Sequence, residues 1–218
     1  MRTFSLLTSL LILIGCLTLS AQDPTPESPQ PPKIGKYGDL LKRVKAADTS
    51  VDFLEFRLSF AQTRHYKPYR DDLRNTQNEM RKAFGSGDHT SAVSKAEKIL
   101  KKEFINVEAH VMCASAYDSL GDSTKARFHD FVSDGLLQSI FASGDGRSEE
   151  SAYLVVLIDE EYAVMNVLGY KVNVQSLREG QGEIFYDVFE VVDPATDEEK
   201  EIYFNIDLPF SKLKSKYR

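Results

Sequence analysis

Apolar side chains return at helical spacing from Tyr37 to about Phe141, and from Tyr153 the pattern changes to short β-rich runs between turn residues. Leu40, Leu41 and Val44 share one face of a first helix. Val51, Leu54 and Leu58, broadened by Phe53, Phe56 and Phe60, mark a second that Asp48 or Thr49 can cap. Pro68 interrupts the period between Arg64 and Tyr69. Beyond Tyr153–Ile158, a β-rich run, Asp159-Glu160-Glu161 offers a helix N-terminus leading through Tyr162, Val164, Met165 and Leu168 to Gly169. Strand candidates follow at Tyr170–Val174, Ile184–Val192 and Glu201–Ile206. The turn Asp193-Pro194-Ala195-Thr196-Asp197 joins the last two as an antiparallel hairpin, and Lys212, Lys214, Lys216 and Arg218 form a basic tail.

Within the helical stretch, Gly87-Asp88-His89-Thr90-Ser91-Ala92 is echoed 34 positions later by Gly121-Asp122-Ser123-Thr124-Lys125-Ala126. The residues suit a helix hairpin. Glycine ends one helix in a left-handed conformation, Asp or Thr caps the next, and alanine lets the two approach closely. The region from Leu73 to Leu137 therefore resembles tetratricopeptide repeats. It departs from them at Thr76 and His110, where an aromatic tryptophan is usual, and at Phe104, where proline is. Two repeats are fewer than such arrays need, so flanking helices must cap them. The expected fold class is α+β: an N-terminal antiparallel helical, tetratricopeptide-like region followed by a small α/β domain with a mainly antiparallel sheet.

The first residues change the compartment. Arg2 and the apolar run from Phe4 to Leu19 read as a signal peptide ending at Ala21, which sends the protein to the periplasm or outside the cell. Leu13-Ile14-Gly15-Cys16 offers an alternative, a lipobox in which Cys16 is acylated as a membrane lipoprotein, although Leu17 and Leu19 continue the apolar run. Five prolines between Gln22 and Pro32 make residues 22–36 a linker. The expected division is 1–21 signal peptide, 22–36 linker, 37–147 helical region and 148–218 α/β domain. The chain has 218 residues, with 33 acidic against 27 basic side chains and 42% hydrophobic content, so it reads as globular rather than disordered, and its net charge of −6 argues against nucleic-acid binding. After signal cleavage Cys113 stands alone, so it has no intramolecular disulfide partner.

Chemistry-bearing motifs are few. His110 and His129 could meet across neighbouring helices, with Asp130 or Asp145 supplying a carboxylate for acid–base or metal work. The glycines flanking Asp145 could expose it, or simply end a helix. Glu160 and Glu161 could act as a pair, but neighbours diverge by about 100° around a helix. Tyr66 and Tyr69 could meet a partner or form a packing corner around Pro68. Signatures of nucleophilic hydrolases, phosphate loops and zinc sites are missing, so no cofactor or metal is expected.

Phe56-Arg57-Leu58, Tyr66-Lys67-Pro68-Tyr69, Gly87-Asp88, Ala109-His110, His129 with Gly135-Leu136-Leu137, Ser143-Gly144-Asp145-Gly146, Glu160-Glu161-Tyr162, and Tyr186-Asp187-Val188 leading to Tyr203-Phe204-Asn205 form a set of short motifs. Together they resemble those of exported bacterial proteins grouped as domain of unknown function family 4919. The resemblance implies export and a helical-plus-β body, and supplies no activity, substrate or site. The expected function is a noncatalytic interaction or scaffold module of the cell envelope with a protein or peptide partner and no membrane span in its mature form. The alternative is an envelope hydrolase or metal-dependent enzyme at the junction of helices and sheet, using His110, His129 and Asp145.

Overall fold

Helical periodicity becomes six consecutive helices in the computed structural model, which describes residues 36–216: α1 (Tyr37–Lys45), α2 (Phe53–Ala61), α3 (Asp71–Gly85), α4 (His89–Leu100), α5 (Val107–Ser119) and α6 (Ser123–Phe141). The expected signal peptide, lipobox cysteine and most of the linker lie outside the described residues. The second helix is capped by Asp52, whose carboxylate accepts the Glu55 N–H at 3.0 Å, rather than by Asp48 or Thr49. Asp48 instead binds Arg43 and Ser50, closing the turn before the helix.

The 34-position echo is one geometry built twice. Gly87 and Gly121 have φ of +79° and +81°, and the next N–H groups, of Asp88 and Asp122, each reach a carbonyl five residues back at 2.9 Å, on Ala83 and Tyr117. The same aspartates cap the following helices, accepting from the N–H groups of Ser91 and Lys125 at 3.0 and 3.1 Å. Thus α3 packs on α4, α4 on α5 and α5 on α6. Ala92 and Ala126 are buried where helices meet. Ala126→Leu is therefore expected to cost about 1–3 kcal/mol by overpacking, read as a lower urea midpoint with an unchanged slope; an unchanged midpoint counts against the close approach.

The remaining elements are β1 (Tyr153–Leu154), α7 (Asp159–Leu168), β2 (Lys171–Glu179), β3 (Phe185–Val192), β4 (Glu199–Asn205) and α8 (Asp207–Lys216). The sheet order is β1-β4-β3-β2, with β1 parallel to β4 and the other neighbours antiparallel, so the fold is α+β. Only two residues of the expected run Tyr153–Ile158 form a strand. Val156 leaves the ladder because side chains take its backbone: the Glu160 carboxylate accepts its N–H at 2.7 Å, and the Tyr66 hydroxyl donates to its carbonyl at 2.8 Å. The basic tail through Lys216 is helical; Pro209 sits in the first turn, where it removes no helical hydrogen bond, and Phe210 packs on Phe185 at 4.4 Å between ring centres.

One hydrophobic core joins α1, α2 and α6 to residues 153–157, α7 and the inner face of the sheet. The division expected near residue 147 falls within it. Two motif glycines make room for this packing: a Cβ on Gly135 of α6 would lie 2.4 Å from the Phe53 ring, and one on Gly144 would lie 2.2 Å from the Ser151 carbonyl oxygen. Among the described residues no helix is long and apolar enough to cross a membrane.

Candidate functional site

The N-terminal turn of α7 carries three consecutive acids, stabilised there by the helix dipole, and the helix turns each toward a different element. Asp159 accepts from Gln77 of α3 at 2.5 Å and from Asn106 before α5 at 3.4 Å. Glu160 faces α2 and is gripped by Arg57, whose Nε and Nη2 donate at 3.0 and 2.6 Å; both side chains are buried. Arg57 also donates to the Leu154 carbonyl at 2.7 Å and the Ser139 hydroxyl at 3.2 Å, so its fork is filled.

Glu161 turns the other way. It is fully buried, neither carboxyl oxygen has a partner with an ordinary donor group, and it faces Asp187 on β3. Burial, reinforced by the Asp187, Glu160 and Asp159 charges, pushes its carboxyl well above the ordinary range. Asp187 is half-buried and also raised by burial, an effect eased by Gln175, whose Nε2 donates to it at 3.1 Å. The Tyr162 hydroxyl donates to the other end of the same amide at 3.1 Å. Tyr69 lies close enough to feel both acids; burial first, then Asp187 and Glu161, push its hydroxyl up to about 12, and its ring stays 41% exposed.

Other candidate residues sit elsewhere. His110 and His129 do meet: their Nδ1 atoms lie 2.9 Å apart, and His110 Nε2 donates to the Phe104 carbonyl at 2.9 Å. That fixes the protons, because His110 must accept at Nδ1 and His129 must donate. Burial holds the His110 ring down to about 3 and also lowers His129, so the pair is neutral. Asp145 does not join them. Its carboxylate accepts from Ser151 at 2.6 Å and from the Arg147 N–H at 3.1 Å, inside its own exposed loop. Among the described residues, no three histidine, cysteine or acidic side chains are grouped to hold a metal.

A family model described as a domain of unknown function, DUF4919, matches residues 35–215. The chain belongs to the DUF4919 family. No curated protein and no solved structure matches it. In this DUF4919 protein, short motifs scattered along the chain meet at α7: Arg57, Tyr66, Tyr69, Glu160, Glu161 and Asp187 surround its first turn, although Arg57 and Glu160 are 103 positions apart.

Neither Asp187 nor Gln175 stands out in the sequence as a site residue: Asp187 lies between Tyr186 and Val188, and Gln175 lies in a strand with several polar positions. The signal was present: an acid in the run Phe185–Val192 that is otherwise core-facing at alternate positions. Arg57 carried a similar signal, a lone cation between Phe56 and Phe60. Above this cluster the DUF4919 sheet ends in β2, an edge strand paired, among the described residues, only with β3. Val172, Val174 and Leu177 on β2 and Tyr162 and Val167 on α7 are 41–57% exposed; Leu177 shares the sheet face of Gln175, whereas Val174 lies on the opposite face with Ser176.

Proposed function

We propose that this protein is an exported, noncatalytic interaction module of the bacterial cell envelope that takes an extended segment of a partner protein onto β2. The observation that carries this reading is the nine-residue edge that no other strand pairs among the described residues, whose outward backbone groups can take a further strand beside its exposed apolar side chains. A register shift between Val172 and Val174 confines continuous pairing to Val174–Glu179. The partner segment accordingly needs side chains that are apolar opposite Leu177 on the face shared with α7 and, on the other face, apolar opposite Val174 and polar opposite Ser176 and Arg178. Export rests on the apolar run before Gln22, with attachment through Cys16 as the alternative route to the same envelope.

Immobilised protein lacking residues 1–21 should retain a saturable partner from envelope extract. Val174→Asp combined with Leu177→Lys should weaken retention about tenfold or more while leaving the helical spectrum and Tm unchanged. Equal retention by the variant, or no saturable partner on folded protein, overturns the reading.

A further inference from the structure

Glu161 and Asp187 face each other from different elements with no cation between them. The groups around Glu161 are Asp159 and Glu160 on its own helix, Asp187 on β3, and the hydroxyls of Tyr162 on α7 and Tyr69 on the connection from α2 to α3. The Arg57 guanidinium is spent on Glu160. Two ionised carboxylates cannot share a buried contact, and both Glu161 oxygens lack another donor, so the contact requires a hydrogen on one of them. Asp187 already receives the Gln175 amide, which suits the ionised partner, leaving Glu161 to donate.

We propose that Glu161 and Asp187 hold one proton between them, and that this proton clasps α7 to β3 beneath the β2 edge and makes partner uptake there pH-dependent. The second half rests on the interaction reading above. When the proton leaves, hydroxide or a buffer base from solution takes it up, forming water or the buffer acid, and two like charges remain across the helix–sheet contact. Gln175, anchored on Asp187, is the link that carries the disturbance to β2.

Difference infrared spectroscopy at neutral pH should show a protonated-carboxyl stretch in the native protein that is lost in Glu161→Gln and shifted in Asp187→Asn, where Glu161 stays buried but meets an amide in place of a carboxylate. Because the carboxyl is raised in the fold, its stabilising effect is present in acid and is lost as pH rises through the raised value. Glu161→Gln, which keeps a donor without a titrating proton, should therefore melt above the native protein at about pH 9 and alongside it at about pH 5. Partner retention should fall with rising pH in the native protein and stay level in Glu161→Gln. Absence of the stretch in the native protein, matching pH profiles in native protein and both variants, or stabilisation by added Ca²⁺ that Asp187→Asn abolishes each overturns the clasp. If the clasp fails while Val174→Asp with Leu177→Lys still loses the partner, the interaction reading stands alone.

Discussion

Replacing Arg57 with methionine is expected to destabilise the fold by about 3–5 kcal/mol at neutral pH, because Glu160 is left buried without its partner. The Arg57–Glu160 pair is not a source of net stability in proportion to its hydrogen bonds, since desolvating both charges offsets much of their attraction. Its removal from one side is what costs. The Leu154 carbonyl and the Ser139 hydroxyl also lose a donor, which places the effect toward the upper end. Adding Glu160→Leu should recover part of the loss by removing the stranded charge. It cannot recover all, because the Val156 N–H then loses the carboxylate that replaces its strand partner. Urea unfolding of the two single variants and the double variant measures the coupling directly; additive losses would deny that the two side chains act as a unit.

The histidine pair should produce the largest acid effect. His110 is fully buried and held down to about 3 by desolvation, so the folded protein refuses a proton that the unfolded chain takes up near its ordinary value of about 6.5. The depressed value means that stability is present above that unfolded value and is lost as pH falls. Between about pH 7 and pH 4.5 the loss from this ring should be about 2–3 kcal/mol. Glu103, pushed up to about 7 by burial, acts with the opposite sign over the same window, and the raised Glu161, Asp159 and Asp187 share that sign. The effect must therefore be read as the difference between native protein and His110→Phe, in which the carboxyl contributions cancel. That variant should be less stable at neutral pH, since the Phe104 carbonyl and His129 lose their partner, yet flatter toward acid. Parallel profiles would mean that His110 accepts its proton without breaking the contact.

Local physics made much of the helical region legible. The echo of Gly87-Asp88 in Gly121-Asp122 is complete within a few residues: positive φ at glycine, a carbonyl five positions back, and an aspartate capping the next turn. The start of α7 at Asp159 and its end at Gly169, with φ of +68°, follow from the same kind of signal. Strand lengths were less legible. Whether Val156 joins a ladder depends on Tyr66 and Glu160 reaching it first, and neither belongs to its own strand. The candidate site divided in the same way: the divergence of Glu160 from Glu161 is a property of helical geometry, whereas the identity of each partner is not.

Amino-acid order alone thus determined the glycine–aspartate junctions of the helical repeat and the two ends of α7, which positions are apolar, and that adjacent glutamates point apart; it did not place the start of α2 at Asp52 or the helix α8. Packing decided that Glu160 meets a guanidinium and Glu161 meets another acid, that Asp145 stays in its own loop, and that two histidines share a neutral bond. The reason is desolvation. Backbone preferences act over a few residues and survive in water, but the state of a charged group is set by the distant elements that remove water from around it.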